Sequence, residues 1–87
     1  MKKNRKFIYL ISPNKIKNNY FFIDLESIFK TNKISYFQLR LKKEKKKKII
    51  SIGKRVKKIC KKYKVKLIVN DSPYLTNKIG ADGCHLG

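Results

Sequence analysis

The chain has 87 residues, enough for one small domain and too few for several. Hydrophobic residues make up 41% of it, which supports a packed core and argues against a disordered chain. The net charge of +19 would suit nucleic acid or an anionic membrane. Lysines, however, outnumber arginines by 21 to 3, and arginine usually makes the specific phosphate and base contacts. We therefore favour a lysine-rich solvated surface that has no dedicated partner.

The first apolar segment, residues 7–11, is too short for a signal-peptide core or a membrane span. Cys60 and Cys84 have neither metal-ligand spacing nor the density of a disulfide scaffold. We expect both cysteines to be small, reduced core residues. Together these features predict a soluble protein of the cytoplasm.

Residues 7–11 are a continuous apolar run that predicts a buried strand, closed by Ser12-Pro13-Asn14. A short amphipathic helix follows and ends near residues 31–32. Its apolar residues recur at helical spacing: Phe22, Leu25, Ile28 and Phe29.

The second predicted strand, residues 34–41, alternates polar and apolar side chains near its carboxyl end. Because successive side chains of a strand point to opposite faces, Gln38, Arg40 and Lys42 should project together. Arginine can grip phosphate oxygens with two hydrogen bonds, lysine adds a point charge, and glutamine can orient a heterocycle or hydroxyl. The triplet therefore suits a polyanion. The alternative is an amphipathic strand with one face in water, which parallel topology disfavours.

The longest predicted helix follows a charged turn at residues 42–44. Its apolar residues fall at successive steps of three and four, which is the spacing of a helix packed on a sheet. Lysines and an arginine mostly occupy the other face, which we interpret as solvated rather than as a membrane or nucleic-acid surface. The stripe consists of Ile49, Ile52, Val56, Ile59 and Tyr63, widened by Ile50 and Cys60.

The last third of the chain predicts a strand, a short helix and a second strand. Residues 67–69 form a short apolar run typical of a parallel strand covered on both faces. Ser72 suits a helix N-cap, Pro73 the first helical position and Gly80 the helix end. Residues 84–86 form the last apolar stretch. The whole chain thus alternates strand and helix, which predicts parallel β-α-β units with right-handed crossovers.

Asn70 and Asp71 end the third predicted strand, beside the triplet. A carboxylate there is placed to hold Mg²⁺ on a diphosphate, with the amide as a further donor. An Asx turn that caps the next helix is the alternative, and both can hold. We expect Asp82, in a glycine-flanked turn, to be structural, and a lone histidine such as His85 is more often structural than catalytic. No dinucleotide-binding motif, P-loop or Cys/His cluster is present in the sequence.

Three motifs in this order and spacing resemble those of the thiamine phosphate synthase family. They are Gln38-Leu39-Arg40-x-Lys42, Asn70-Asp71 and Gly80-Ala81-Asp82-Gly83-x-His85-Leu86-Gly87. The resemblance covers nearly the whole chain. It implies a (β/α)₈ TIM barrel. It also implies the activity of the family's enzymes, which join hydroxymethylpyrimidine diphosphate to thiazole phosphate and release pyrophosphate. The expected fold is therefore the N-terminal half of such a barrel: four parallel strands alternating with three helices in one incomplete domain, residues 1–87.

The resemblance also implies roles for particular residues. Arg40 and Lys42 would be catalytic, because they stabilise the charge on the departing diphosphate. Asp71 would bind the Mg²⁺ cofactor. The pyrimidine diphosphate would contact a larger set: Gln38, Leu39, Arg40, Leu41, Lys42 and Asn70.

A barrel of this kind needs roughly 200–250 residues. We therefore expect the chain to be the N-terminal part of a synthase, truncated or incomplete, inactive alone and prone to self-association through open sheet edges. Leu41 stands where the family usually has an acidic residue, and Cys84 where valine is common. A thiazole tautomerase-like relative is the alternative within the family. A small basic nucleic-acid-binding protein, without sequence specificity, is the alternative from another class.

Overall fold

The computed structural model describes residues 8–86. Strands and helices alternate along the chain as predicted. All three strand pairings are parallel, and the strand order in the sheet is sequential, so the predicted topology is confirmed. The elements are β1 (Ile8–Ile11), α1 (Tyr20–Phe29), β2 (Ile34–Leu39), α2 (Lys46–Lys62), β3 (Lys66–Asn70), α3 (Pro73–Ile79) and β4 (Gly83–His85).

The helices cover one face of the sheet. Phe37 and Leu39 of β2 and Leu67 and Val69 of β3 are at most 2% exposed. They form one hydrophobic cluster with the buried side chains of all three helices. Because strand side chains alternate, the residues between them lie on the other face, which α1, α2 and α3 leave uncovered.

β1 departs from the prediction of a buried strand. Ile8, Tyr9 and Ile11 are 39%, 46% and 48% exposed, and only Leu10 packs against the core. The reason is position: among the described strands β1 pairs with β2 alone, at one edge of the sheet, and one of its faces meets the uncovered side. Phe7, the predicted first residue of this strand, lies outside the described residues.

The helical stripes are mostly as predicted. α1 buries Phe22, Leu25 and Phe29, whereas Ile28 is 40% exposed at the margin of its stripe. α2 buries Ile49, Ile52, Gly53, Val56 and Cys60. Gly53 lies against Ile79 of α3, so close that an added Cβ would collide with the isoleucine side chain. The glycine therefore sets how near the two helices approach.

A polar cluster joins α1 to the end of α2. Lys62 Nζ and Tyr63 Oη both donate to the Glu26 carboxylate, at 2.9 and 2.8 Å. The hydrogen bond from Lys62, followed by that from Tyr63, lowers the pKa of Glu26. A carboxyl group whose pKa is lowered by folding stabilises the protein at pH values above its ordinary pKa. This stabilisation is lost as the pH falls through the folded-state pKa.

Both cysteines are free thiols. Cys60 is buried in the core, and this burial raises its pKa to about 12, so the thiol stays protonated and unreactive at neutral pH. Cys84 is half-buried. In the described part of the chain, no helix combines the length and apolar character that a membrane crossing needs.

The start and end of α3 follow the predicted chemistry. Ser72 Oγ accepts a hydrogen bond from the Leu75 N–H at 3.0 Å, and Pro73 is the first helical residue. Gly80 ends the helix with a φ of 80°, a left-handed conformation that favours glycine.

We expect Ser72→Ala to lower the free energy of unfolding by about 1 kcal/mol, because an N–H at the helix start loses its acceptor. The matched control is Ser51→Ala in the exposed middle of α2, where alanine is the better helix former and stability should stay level or rise slightly. Urea denaturation followed by circular dichroism measures both changes. Equal losses in the two variants would contradict the capping role.

Candidate anion-binding site

A cavity of about 600 Å³ opens on the face of the sheet that the helices leave uncovered, towards the carboxyl ends of the strands. Five of its lining residues are those predicted from the sequence: Gln38, Arg40, Lys42, Asn70 and Asp71. Gln38, Arg40 and Lys42 therefore line one cavity, as predicted, although only Gln38 lies within β2. In parallel α/β folds, ligands bind at the carboxyl ends of the strands, which is where this cavity lies.

β2 is shorter than predicted and ends at Leu39 instead of residue 41. Ser12, just after β1, accounts for the difference. Its N–H donates to the Gln38 carbonyl at 2.9 Å, and its Oγ accepts from the Arg40 N–H at 2.8 Å. A side chain thus replaces the next ladder partner, so Arg40 leaves the strand and Lys42 lies in the turn that follows.

Gln38 is the most deeply buried polar residue of the site, at 3% exposure. Its Nε2 donates to the Tyr9 hydroxyl of β1 at 3.0 Å. The Tyr9 ring stacks on Tyr36, with 5.7 Å between ring centroids. The glutamine amide is therefore held from the neighbouring strand.

Asn70 and Asp71 leave β3 in a strained turn. Asp71 has a φ of 64°, in the left-handed region, and its N–H donates to the His85 carbonyl at 2.7 Å. Asn70 Nδ2 donates to the Asp71 carboxylate at 3.1 Å. The cap of the following helix comes from Ser72, and both residues before it line the cavity.

The donors at this corner fit the predicted cation in their chemistry. Asp71 offers carboxylate oxygens and Asn70 an amide oxygen, the hard ligands that Mg²⁺ prefers. Within residues 8–86 no group of three His, Cys, Asp or Glu side chains could enclose a metal ion. A cation at Asp71 would therefore need substrate oxygens or water, which is the usual way Mg²⁺ binds with a phosphorylated substrate.

Leu39 and Leu41 are not brought to this cavity by their side chains. They are 1% and 7% exposed and belong to the core beneath the helices. Any contact of theirs with a ligand in the cavity would come from main-chain atoms. Their substrate-binding role stays a prediction.

Four residues of the site were missing from the sequence-based set. Tyr9, Ile11 and His85 line the cavity, and Ser12 holds the segment from Gln38 to Arg40. The alternation of side chains along β1 places Tyr9 and Ile11 on one face, and this pattern could have identified both from the sequence. His85 was part of a family motif but was interpreted as more often structural, because the register that pairs it with Asn70 is a tertiary fact.

Asp82 has the structural role that was expected. Its Oδ2 accepts from the Leu67 N–H at 2.8 Å, and its own N–H donates to the Leu67 carbonyl at 2.8 Å. These bonds tie the turn before β4 to the start of β3, at the opposite end of these strands from the residues that line the cavity.

Parallel strands in sequential order, alternating with helices and carrying polar residues at their carboxyl ends, are the arrangement from which β/α-barrel sites are built. The sequence profile of thiamine monophosphate synthase matches residues 8–87. The chain belongs to this family.

Individual relatives agree. The chain is 57% identical over 86 residues to a thiamine-phosphate synthase of Pelagibacter ubique (strain HTCC1062), covering 99% of this chain and 42% of that protein. It is 33% identical over 81 residues to the thiamine-phosphate synthase of Campylobacter jejuni subsp. jejuni serotype O:2 (strain ATCC 700819 / NCTC 11168), covering 92% of this chain and 38% of that one. The chain thus spans well under half the length of these curated relatives.

A solved structure supports the fold. The thiamine phosphate pyrophosphorylase of Pyrococcus furiosus superposes with a TM-score of 0.78 at 22% identity, covering 95% of this chain and 39% of that one. The four parallel strands and three helices therefore correspond to part of a TIM barrel, as expected from the sequence.

We expect Asp82→Ala to lower the free energy of unfolding by roughly 1 to 2 kcal/mol, since the Leu67 N–H loses a charged acceptor. Binding of inorganic pyrophosphate should not change, because Asp82 lies away from the cavity. Asp24→Ala, at an exposed position of α1, is the control for losing a carboxylate. Chemical denaturation and a pyrophosphate titration separate the two effects. Weakened pyrophosphate binding in the folded variant would show that Asp82 belongs to the site.

Proposed function

We propose that this chain supplies the pyrimidine diphosphate side of a thiamine phosphate synthase. The full reaction joins hydroxymethylpyrimidine diphosphate to thiazole phosphate and yields thiamine phosphate and pyrophosphate. The observation that carries the proposal is the convergence of Gln38, Arg40, Lys42, Asn70 and Asp71 on one cavity, in a chain of this family. The names of its relatives support the same activity.

The residues suit a step in which diphosphate departs. The bond between the pyrimidine methylene carbon and the diphosphate oxygen breaks, and its electron pair leaves with the oxygen. Arg40 and Lys42 stabilise the negative charge that develops there, which is the main requirement of such a step. Mg²⁺ bound at Asp71 would neutralise further diphosphate charge. The thiazole nitrogen then forms the new carbon–nitrogen bond to the pyrimidine methylene cation.

The roles of Gln38 and Asn70 are binding and orientation. Both carry amides that can donate and accept, and both lie beside the cationic groups. In this proposal Gln38 holds the heterocycle, while Asn70 contacts the diphosphate next to Asp71. Arg40 and Lys42 thereby meet the leaving group rather than the ring.

The cavity of the chain by itself is open to water. Coulomb interactions at a wet surface are several times weaker than in a screened site. The chain also spans 42% of the length of its Pelagibacter relative. We therefore expect ligand binding, but no measurable formation of thiamine phosphate, from the 87-residue chain alone.

The other interpretations gain no support. The relatives named above are thiamine-phosphate synthases, so neither a tautomerase-like activity nor a nucleic-acid-binding role is favoured. Any binding to nucleic acid should be non-specific and weaken steeply with salt, because lysines dominate the charge. Location in the cytoplasm, Mg²⁺ dependence and self-association through the free edges of β1 and β4 remain parts of this proposal.

We expect Arg40→Ala to weaken pyrophosphate binding to the chain roughly 10- to 100-fold in the presence of Mg²⁺, since a charged, two-bond contact is lost. Lys43→Ala is the matched control, because it removes one positive charge next to Lys42 from an exposed residue that does not line the cavity. Isothermal titration calorimetry at physiological salt measures both. An equal loss in the two variants would mean that general charge, and not this site, binds the anion.

The synthase activity is tested in a chimera that joins residues 1–87 to the remaining part of the Pelagibacter relative. The folded chimera should form thiamine phosphate from the two purified substrates. In that chimera, Asp71→Asn should lower the Mg²⁺-dependent rate on the order of a hundredfold, because the carboxylate for the cation is gone.

Asparagine tolerates the left-handed backbone at position 71, so the fold should persist. Asp24→Asn in α1 is the control and should retain full activity. A folded chimera without turnover would refute the proposed reaction. Full activity of the Asp71 variant, or turnover by the 87-residue chain alone, would show that the site is placed wrongly.

A further inference from the structure

We propose that Tyr9 is a positioning residue that holds the Gln38 amide for recognition of the substrate's heterocycle. This inference rests on the proposed function, since it assigns a partner to one of its binding residues. The carrying contact is the hydrogen bond from Gln38 Nε2 to the Tyr9 hydroxyl, at 3.0 Å. Gln38 is 3% exposed and lines the cavity, so its amide meets a ligand only from a restricted direction.

The register of β1 places the tyrosine for this task. Ile11 is directly opposite Gln38, and Tyr9, two residues earlier, is its diagonal neighbour on the same face. The Tyr9 ring is itself held by stacking on Tyr36, which is its own cross-strand partner. A long glutamine side chain is thus fixed at its tip by a hydroxyl on a supported ring.

The backbone of Gln38 is fixed from the same side. Its carbonyl accepts from the Ser12 N–H at 2.9 Å, and the Arg40 N–H two residues on donates to Ser12 Oγ at 2.8 Å. Ser12 is 7% exposed. Ser12 therefore holds the main chain of both Gln38 and Arg40, whereas Tyr9 holds only the glutamine side chain. The two residues should have separable effects.

A count of hydrogen-bonding groups shows what Tyr9 leaves available. A glutamine amide has two N–H donors and a carbonyl oxygen that accepts. One donor is taken by Tyr9, which leaves an N–H and an oxygen side by side on a fixed plane. This pair complements a heterocycle edge that carries one acceptor next to one donor. A ligand without a heterocycle, such as pyrophosphate, gains nothing from it.

The test compares two ligands and one side-chain signal. Tyr9→Phe keeps the ring and removes only the hydroxyl. It should weaken binding of hydroxymethylpyrimidine diphosphate by about threefold to tenfold, the effect of one net hydrogen bond, and leave pyrophosphate binding unchanged. Tyr36→Phe is the matched control, because the Tyr36 hydroxyl has no hydrogen-bond partner among the described residues. Ser12→Ala should weaken the binding of both ligands, because the Arg40 N–H loses its acceptor as well.

The direct readout is the Gln38 side-chain amide in ¹⁵N NMR of the full chain. Its order parameter should fall below about 0.6, the range of flexible groups, in Tyr9→Phe and stay high in Tyr36→Phe. In a Gln38→Ala background, Tyr9→Phe should have no further effect on binding.

The possible results separate this inference from the proposed function. An unchanged Gln38 order parameter in Tyr9→Phe would overturn the inference, even if Arg40→Ala still weakened pyrophosphate binding. An equal loss of affinity for both ligands in Tyr9→Phe would overturn the inference as well, since the effect would then not depend on the heterocycle. If neither ligand bound the wild-type chain, the proposed function would fail, and the order parameter alone would decide whether Tyr9 positions Gln38.

Discussion

The parallel pairing of β2 between β1 and β3 is the constraint on which the rest of the molecule depends. Because side chains alternate along a strand, this pairing sends Phe37 and Leu39 into the core and turns Gln38 towards the cavity. A shift of the register by one residue would reverse both assignments, burying the amide among the helices and exposing an aromatic ring. Core packing and the lining of the cavity are therefore specified by the same hydrogen-bonded ladder.

The site is built from several segments that each end a strand. Arg40 follows β2, Asp71 follows β3, and Ser12 follows β1 and binds the main chain of Gln38 and Arg40. Parallel strands bring their carboxyl ends to the same edge, so residues far apart in the chain meet without a long loop. This also explains why the charge of the site is distinct from the general basic character of the chain. The lysines of α2 lie on the helix layer, whereas the half-buried Arg40 and the exposed Lys42 line a cavity together with amides and a carboxylate.

Both strengths and omissions of the sequence-based prediction have physical causes. Regular alternation of apolar runs and helical stripes leaves few topologies open, so the parallel sheet and the capping of α3 by Ser72 and Gly80 were predictable from local chemistry. Alternation alone also predicted that Gln38, Arg40 and Lys42 lie together, and all three line the cavity although β2 ends before Arg40. The prediction that β1 is buried was wrong, because a local apolar run does not indicate whether a strand lies at an edge or in the middle of a sheet.

The sequence by itself determined the class of fold, the family motifs and the polar residues that line the cavity at the strand ends, because these depend on short-range periodicity and on side-chain chemistry. Only the tertiary structure decided where β2 ends, since the Ser12 hydroxyl that replaces its next ladder partner comes from 28 residues earlier. The structure likewise decided the partner of Gln38 and the place of His85 at the cavity. Contacts between strands depend on register, and register follows from packing the whole sheet against its helices.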